Sequence, residues 1–156
     1  MNHPDYLATV VWQRAGGAKF TDNRYSRAHE WRFDGGAVVA GSPSPHTVPP
    51  PLSNPAGVDP EEALVAALSS CHMLFFLFHA AKKGYVVEQY EDDAIGRMGK
   101  NAQGRTALVE FILRPAILWS GELQPDAEEI RALHEAAHHD CYIANTVSAQ
   151  VQIEPR

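Results

Sequence analysis

Cys71, Cys141, Arg27 and a run of histidines are the side chains through which this sequence could do chemistry. The two cysteines lie far apart, in neither a C-x-x-C nor a zinc-ribbon spacing. In a reducing compartment they are therefore unrelated buried thiols or a transient redox pair. A cysteine attacks only as its thiolate, and burial in an apolar helix disfavours that form. Two features could offset this around Ser69-Ser70-Cys71-His72. A chain break at Ser69-Ser70 would put Cys71 in the first turn of a new helix, where the backbone dipole stabilises a thiolate. Alternatively Arg27 supplies a fixed positive charge, itself held by a carboxylate such as Glu61.

His134-Glu135-Ala136-Ala137-His138 is a literal H-E-x-x-H. On a helix, that spacing sets two imidazoles on one face for zinc, with the glutamate as general base. A third ligand is required, and no H-x-x-G-x-x-H extension follows. The plainer reading is an amphipathic helix with an apolar stripe of Ile130, Leu133 and Ala137, so a zinc hydrolase stands only as an alternative and no metal is expected. His139-Asp140-Cys141 is a weaker metal cluster still. A Cys71 hydrolase with His72 or His138 as base is a further alternative, although adjacency in sequence does not aim His72 at its neighbour's sulfur.

The chain has 156 residues, 45% hydrophobic and 21% charged, which suits one domain over 1–156 with a core that needs no disulfide staples. A net charge of -6 gives no footprint for nucleic acid or an anionic membrane. The N-terminus lacks a basic region followed by a long apolar run, which reads as a cytoplasmic protein.

Two segments rich in β-branched and aromatic residues, Tyr6 to Gln13 and Tyr25 to Phe33, read as strands, and Gly35-Gly36 turns into a third at Ala37 to Ala40. Alternation in the second puts Arg27 on one face with His29, Trp31 and Phe33, where a guanidinium needs a carboxylate or open water. Gly41 to Gly57 holds six of the eleven prolines and reads as a stiff rim loop. Asp59 caps a helix with Pro60 at its first position and Glu62 at its third. Ala63 to Ala81 continues it, apolar nearly all round, which marks a helix buried on most faces. Its length would also span a bilayer, but the polar interruptions Ser69, Ser70, His72 and His79, and the ordinary charged ends, argue against that. Strands follow at Arg105 to Leu113 and Ala116 to Trp119, then a helix from Pro125-Asp126 through His139, and a half-buried strand from Val147 to Ile153. The order β-β-β-α-β-β-α-β is α+β: an N-terminal meander, a buried central helix carrying a cysteine, a second hairpin, and a C-terminal helix plus strand.

Several pieces together resemble the osmotically inducible protein C and organic hydroperoxide resistance (OsmC/Ohr) family: Tyr25-Ser26-Arg27-x-His29, Asp34-Gly35-Gly36, Asp59-Pro60-Glu61-Glu62-x-Leu64, Leu68-Ser69-Ser70-Cys71-His72-Met73, and His134-Glu135-x-Ala137-His138-x-x-Cys141-x-x-Ala144-Asn145. The resemblance covers nearly the whole chain and favours the OsmC-like branch, because no proline follows Cys141. It implies an intertwined homodimer working as a thiol peroxidase without a cofactor. Cys71 is then the peroxidatic cysteine, Cys141 the resolving one, Arg27 the residue that activates the thiolate, and Glu61 the residue that holds Arg27. The implied substrates are organic hydroperoxides, with Met73, Phe75 and Phe76 as apolar surroundings, and the implied reductant is a lipoyl-type dithiol. A small apolar ligand-binding protein with inert cysteines is the alternative outside enzymology.

Overall fold

The structure, a computed structural model, describes residues 3–156 and forms two compact units, one up to Ala63 and one from Leu64 onward. The first contains β1 (Ala8–Val11), β2 (His29–Phe33) and β3 (Val38–Gly41), an antiparallel meander in the order β1-β2-β3. All three expected strands are present, the first two shorter than their sequence suggests. Along β2, His29 and Trp31 are half-buried while Glu30 and Arg32 are exposed, so the alternation holds from His29 to Arg32 and fails at the exposed Phe33. It does not extend back to Arg27. Asn23 takes a left-handed φ of 60°, and the Arg27 N–H donates to Leu52 O at 2.9 Å, so this stretch pairs with the proline-rich loop instead of entering the sheet.

That loop is pinned at both ends. Asn54 N–H donates to the buried Ser42 Oγ at 2.8 Å, and Val58 N–H to Ala40 O at 2.8 Å. A side chain at Gly41 would lie 2.5 Å from His29 Nε2, so only glycine fits where the loop leaves the sheet. Helix α1 (Pro60–Lys82) then starts with the reciprocal hydrogen bonds of a capping box: Glu62 N–H to Asp59 Oδ1 and Asp59 N–H to Glu62 Oε1, both 2.8 Å. Gly84, at φ +83°, ends it.

Beyond α1 the strand count departs from expectation. β4 (Val86–Asp92) and β5 (Ile95–Lys100) were not anticipated, and with β6 (Thr106–Leu113) and β7 (Pro115–Ser120) they make four strands where two were expected. Physical features of the segment hide both. A register shift between Val87 and Gln89 breaks the alternation of β4, and β5 contains two glycines. Gly96 is needed there, because a Cβ would meet Val65 Cγ2 of α1 at 2.6 Å. β4 pairs antiparallel with β7; β5 pairs antiparallel with β6, and β6 pairs parallel with β8 (Gln150–Ile153).

Helix α2 (Ala127–Asp140) begins at Asp126, which accepts from Glu129 N–H at 2.8 Å while Glu129 accepts from Asp126 N–H at 2.9 Å. Asp126→Ala removes the cap and is expected to cost about 1 kcal/mol, read as a lower urea midpoint at unchanged slope.

Two apolar clusters hold this unit together. Phe76, Ala80, Tyr85, Leu133 and Ala137 pack with Val87, Tyr90, Ile117 and Trp119, joining both helices to the β4-β7 pair. Leu68, Phe111 and Cys141 pack with Val65, Cys71, Leu108 and Val151, joining α1 to the β5-β6-β8 sheet. The buried part of α1 is thus the single stripe Leu68, His72, Phe76 and Ala80. The helix is not buried on most faces within this chain. Leu74 and Phe78 are 62% and 58% exposed. By length and composition α1 could cross a membrane, yet its stripe is occupied by the chain's own strands.

Candidate functional site

Cys71 sits about three turns inside an unbroken α1, so the helix-break route to an activated thiol is absent. The two serines show why the helix continues. Ser69 Oγ donates to Asp92 Oδ2 of β4 at 2.5 Å, and Ser70 Oγ turns back to Ala67 O at 3.2 Å, leaving neither to cap a new helix. Asp92 also accepts from Arg114 N–H at 2.6 Å, which fastens this part of α1 to the strand ends beneath it.

Cys141 directly follows α2, its N–H donating to Ala137 O at 2.9 Å. It is fully buried, whereas Cys71 is half-buried, and both are free thiols in one cluster. Burial pushes the Cys141 thiol up to about 11; the Ala144 N–H on its sulfur at 3.4 Å opposes this, and the neighbouring Cys71 thiol raises it further. Cys141 is therefore kept protonated at neutral pH. Residues far apart in sequence have been brought to one point by the packing of α1 against the turn after α2.

A cleft of about 450 Å³ opens beside Cys71, walled by Ser70, Leu74, Phe75, Phe78 and Tyr142. Tyr142, next to Cys141, stands edge-on to Phe75 with ring centroids 5.1 Å apart. Of the expected apolar residues, Phe75 lines the cleft, whereas Phe76 points into the core. Sequence reading missed Leu74, Phe78 and Tyr142; the available signal was the Leu74, Phe75, Phe78 spacing on α1, which puts all three on the side of the helix that carries Cys71.

The histidines of the H-E-x-x-H do not converge as a zinc site. His134 Nδ1 is engaged with His72 Nε2 at 3.0 Å, while Glu135 is exposed and pairs loosely with Arg131 at 3.8 Å. Among the described residues no group of three or more histidine, cysteine or acidic side chains is arranged to hold a metal. Burial holds His72 down at about 3, with His134 and His138 adding to the effect, and burial holds His134 at about 4. Further along, Asp140 accepts from His79 Nε2 at 2.8 Å and His139 Nδ1 at 2.9 Å, and both contacts lower its pKa.

Arg27 and Glu61 belong to the first unit. The carboxylate expected beside Arg27 is replaced by a local seat. Nη2 donates to Asn23 Oδ1 at 2.7 Å and Asn23 O at 3.1 Å, Nη1 donates to Tyr25 O at 3.0 Å, and the guanidinium carbon lies 4.4 Å from the centre of the Tyr25 ring. Tyr25 is in turn stacked on Phe20 and edge-on to Trp12. Neutral oxygens and an aromatic face thus hold the charge, and no ion pair forms at Arg27 among the described residues. Glu61 is half-buried in the first turn of α1.

The α+β fold thus packs two free thiols into one cluster, with the half-buried Cys71 lining an apolar cleft. The family model of OsmC-like proteins matches residues 53–156. An OsmC-like protein of unknown function from Vibrio cholerae is 50% identical and superposes with a TM-score of 0.97, over 99% of this chain and all of that one. The chain belongs to the OsmC-like family. More distant structures share the fold: an organic hydroperoxide resistance protein OsmC from Legionella pneumophila (14% identity, TM-score 0.66, 98% and 97% of the two chains) and the organic hydroperoxide resistance protein OhrB of Bacillus subtilis (18%, 0.63, 97% and 98%). No curated protein matches the sequence.

Proposed function

We propose that the protein is a cytoplasmic, cysteine-dependent peroxidase that reduces organic hydroperoxides to alcohols. The observation that carries this reading is the half-buried Cys71 thiol beside the fully buried Cys141 thiol, with the apolar cleft leading to the first. The Cys71 thiolate attacks one peroxide oxygen, forming an S–O bond as the O–O bond breaks, and the departing alkoxide takes a proton to become the alcohol. Cys141 then attacks the sulfenic acid, giving the Cys71–Cys141 disulfide and water. A dithiol of the lipoyl type restores both thiols by exchange. Arg27 stabilises the thiolate and the departing oxygen, in the role the family resemblance gives it, held by Asn23 and Tyr25 in place of the Glu61 carboxylate.

The cleft supports organic over inorganic peroxide, since each methylene buried there contributes about 0.8 kcal/mol that hydrogen peroxide lacks. The exposed Leu74 and Phe78 support a homodimer in which a second copy covers this side of α1. Consumption of cumene hydroperoxide and of hydrogen peroxide, with dihydrolipoamide as reductant, tests the reading. We expect kcat/KM for the organic substrate to be higher by about tenfold or more. Arg27→Lys is expected to lower it about tenfold, because an ammonium lacks the planar fork of the guanidinium. Equal rates for the two peroxides would contradict the role of the cleft, and an unchanged Arg27→Lys enzyme would remove Arg27 from the site.

A further inference from the structure

His72 and His134 are the motif residues that the proposed reaction leaves without a task, and they are among the most buried polar side chains of the chain, 1% and 3% exposed. Their rings lie nearly parallel, 9° apart with centroids at 5.3 Å, and share one hydrogen bond between His72 Nε2 and His134 Nδ1 at 3.0 Å. One neutral ring donates and the other accepts. The outer nitrogens, His72 Nδ1 and His134 Nε2, have no partner. The contact joins α1 to α2 at a telling place: His72 follows Cys71 directly, and His134 lies two turns before Cys141 on α2.

Protonation has no acceptor to compensate it here. From α2, His138 faces His72 and opposes a charge on it, with its own Nδ1 buried and unpartnered. From α1, Phe76 packs on the His134 ring at 4.4 Å. From β4, Tyr90 reaches the same layer through Phe76, its hydroxyl buried without a partner. Among the described residues no carboxylate bonds to either ring; Asp140, the acidic group of this helix contact, is taken by His79 and His139. A proton on either ring of the pair also removes the lone pair that accepts the shared hydrogen bond, or puts a second charge-bearing N–H into the core.

We propose that His72 and His134 form a proton-sensitive clasp that holds α2, and with it the buried Cys141, on α1: it is closed while both rings are neutral and opens when either gains a proton. Its consequence for turnover rests on the proposed pairing of Cys71 with Cys141, but the clasp itself does not. The sign follows from burial. Both rings are held below the value of about 6.5 they take in the unfolded chain, so the folded form binds fewer protons. The clasp is at full strength above about pH 6.5 and weakens as the pH falls towards 4.

Cys141 reports on the clasp through its accessibility, and 4,4′-dithiodipyridine reads free thiols in acid as well as at neutral pH. In a Cys71→Ser background, labelling of Cys141 relative to a free model thiol is expected to be about tenfold faster at pH 4 than at pH 7. Adding His72→Gln and His134→Asn replaces the two bonding nitrogens with amides that keep a hydrogen bond and cannot titrate; the relative rate should then be flat with pH. The same acceleration in both proteins would overturn the clasp. Should the amide variant fail to fold, ring resonances of the wild-type protein decide: neutral rings at pH 5 support the proposal, and rings that titrate near 6.5 refute it. None of these readouts uses a peroxide, so an inactive peroxidase and an absent clasp would be told apart.

Discussion

Cys71→Ser is expected to abolish hydroperoxide reduction, lowering kcat/KM by about three orders of magnitude or more. The size of the effect follows from the chemistry, since serine offers a neutral hydroxyl where the reaction needs a thiolate, and no other thiol reaches the cleft. Cys141→Ser should behave differently. Cys71 remains in place beside the cleft, so the first turnover proceeds and stops at the sulfenic acid, visible as one added oxygen in the intact mass. Steady-state turnover through a dithiol then falls while the single-turnover rate is kept. Burst kinetics with one equivalent of cumene hydroperoxide separate the two variants: Cys141→Ser gives a full burst, Cys71→Ser none. Loss of the burst in both would mean that Cys141 contributes to the first chemical step or to the shape of the cleft.

Phe76→Ala is expected to destabilise the protein by about 3–5 kcal/mol, the cost of a large cavity in a well-packed core. Phe76 is wholly buried and lies at the meeting point of both helices and the β4-β7 pair, with ring centroids 5.5 Å from Tyr90, 5.9 Å from Trp119 and 4.4 Å from His134. Little in that environment can collapse to fill the space, because the contacts come from separate elements. Thermal unfolding should show a drop of roughly 10 °C. Leu74→Ala removes a side chain of similar character from the exposed side of the same helix and should cost the isolated chain less than about 1 kcal/mol. Similar losses at the two positions would show that the exposed side is covered in solution, as the homodimer reading requires.

The helices were legible in the sequence because their signals are local. Asp59, Pro60 and Glu62 announced the start of α1, Gly84 its end, and Pro125-Asp126 the start of α2. β4 and β5 were not legible. After Val86-Val87 the residues of β4 are mostly polar and β5 carries two glycines, and what makes both strands is pairing with β7 and β6, which come later in the chain. Gly96, which reads as a breaker, is where β5 closes on α1.

The same division runs through the candidate site. Cys71 and Cys141 stood out by residue type, and the family resemblance paired them; their shared cluster comes from long-range packing that no spacing encodes. Arg27 was placed in a strand because the alternation of β2 extrapolates back to it, and only the left-handed turn at Asn23 interrupts that pattern. Its neutral seat on Asn23 and Tyr25 was invisible for the same reason. His72 read as a polar interruption of α1, whereas it lies on the buried stripe between Leu68 and Phe76, and its partner lay in a motif that resembles a zinc site.

The most direct test of the central claim is the intact mass of the reduced wild-type protein before and after one equivalent of cumene hydroperoxide, with no other reagent present. Rapid loss of two hydrogens, reversed by a dithiol, is the result expected if Cys71 and Cys141 close a disulfide during turnover. An unchanged mass, with the peroxide still present, would contradict the peroxidase reading.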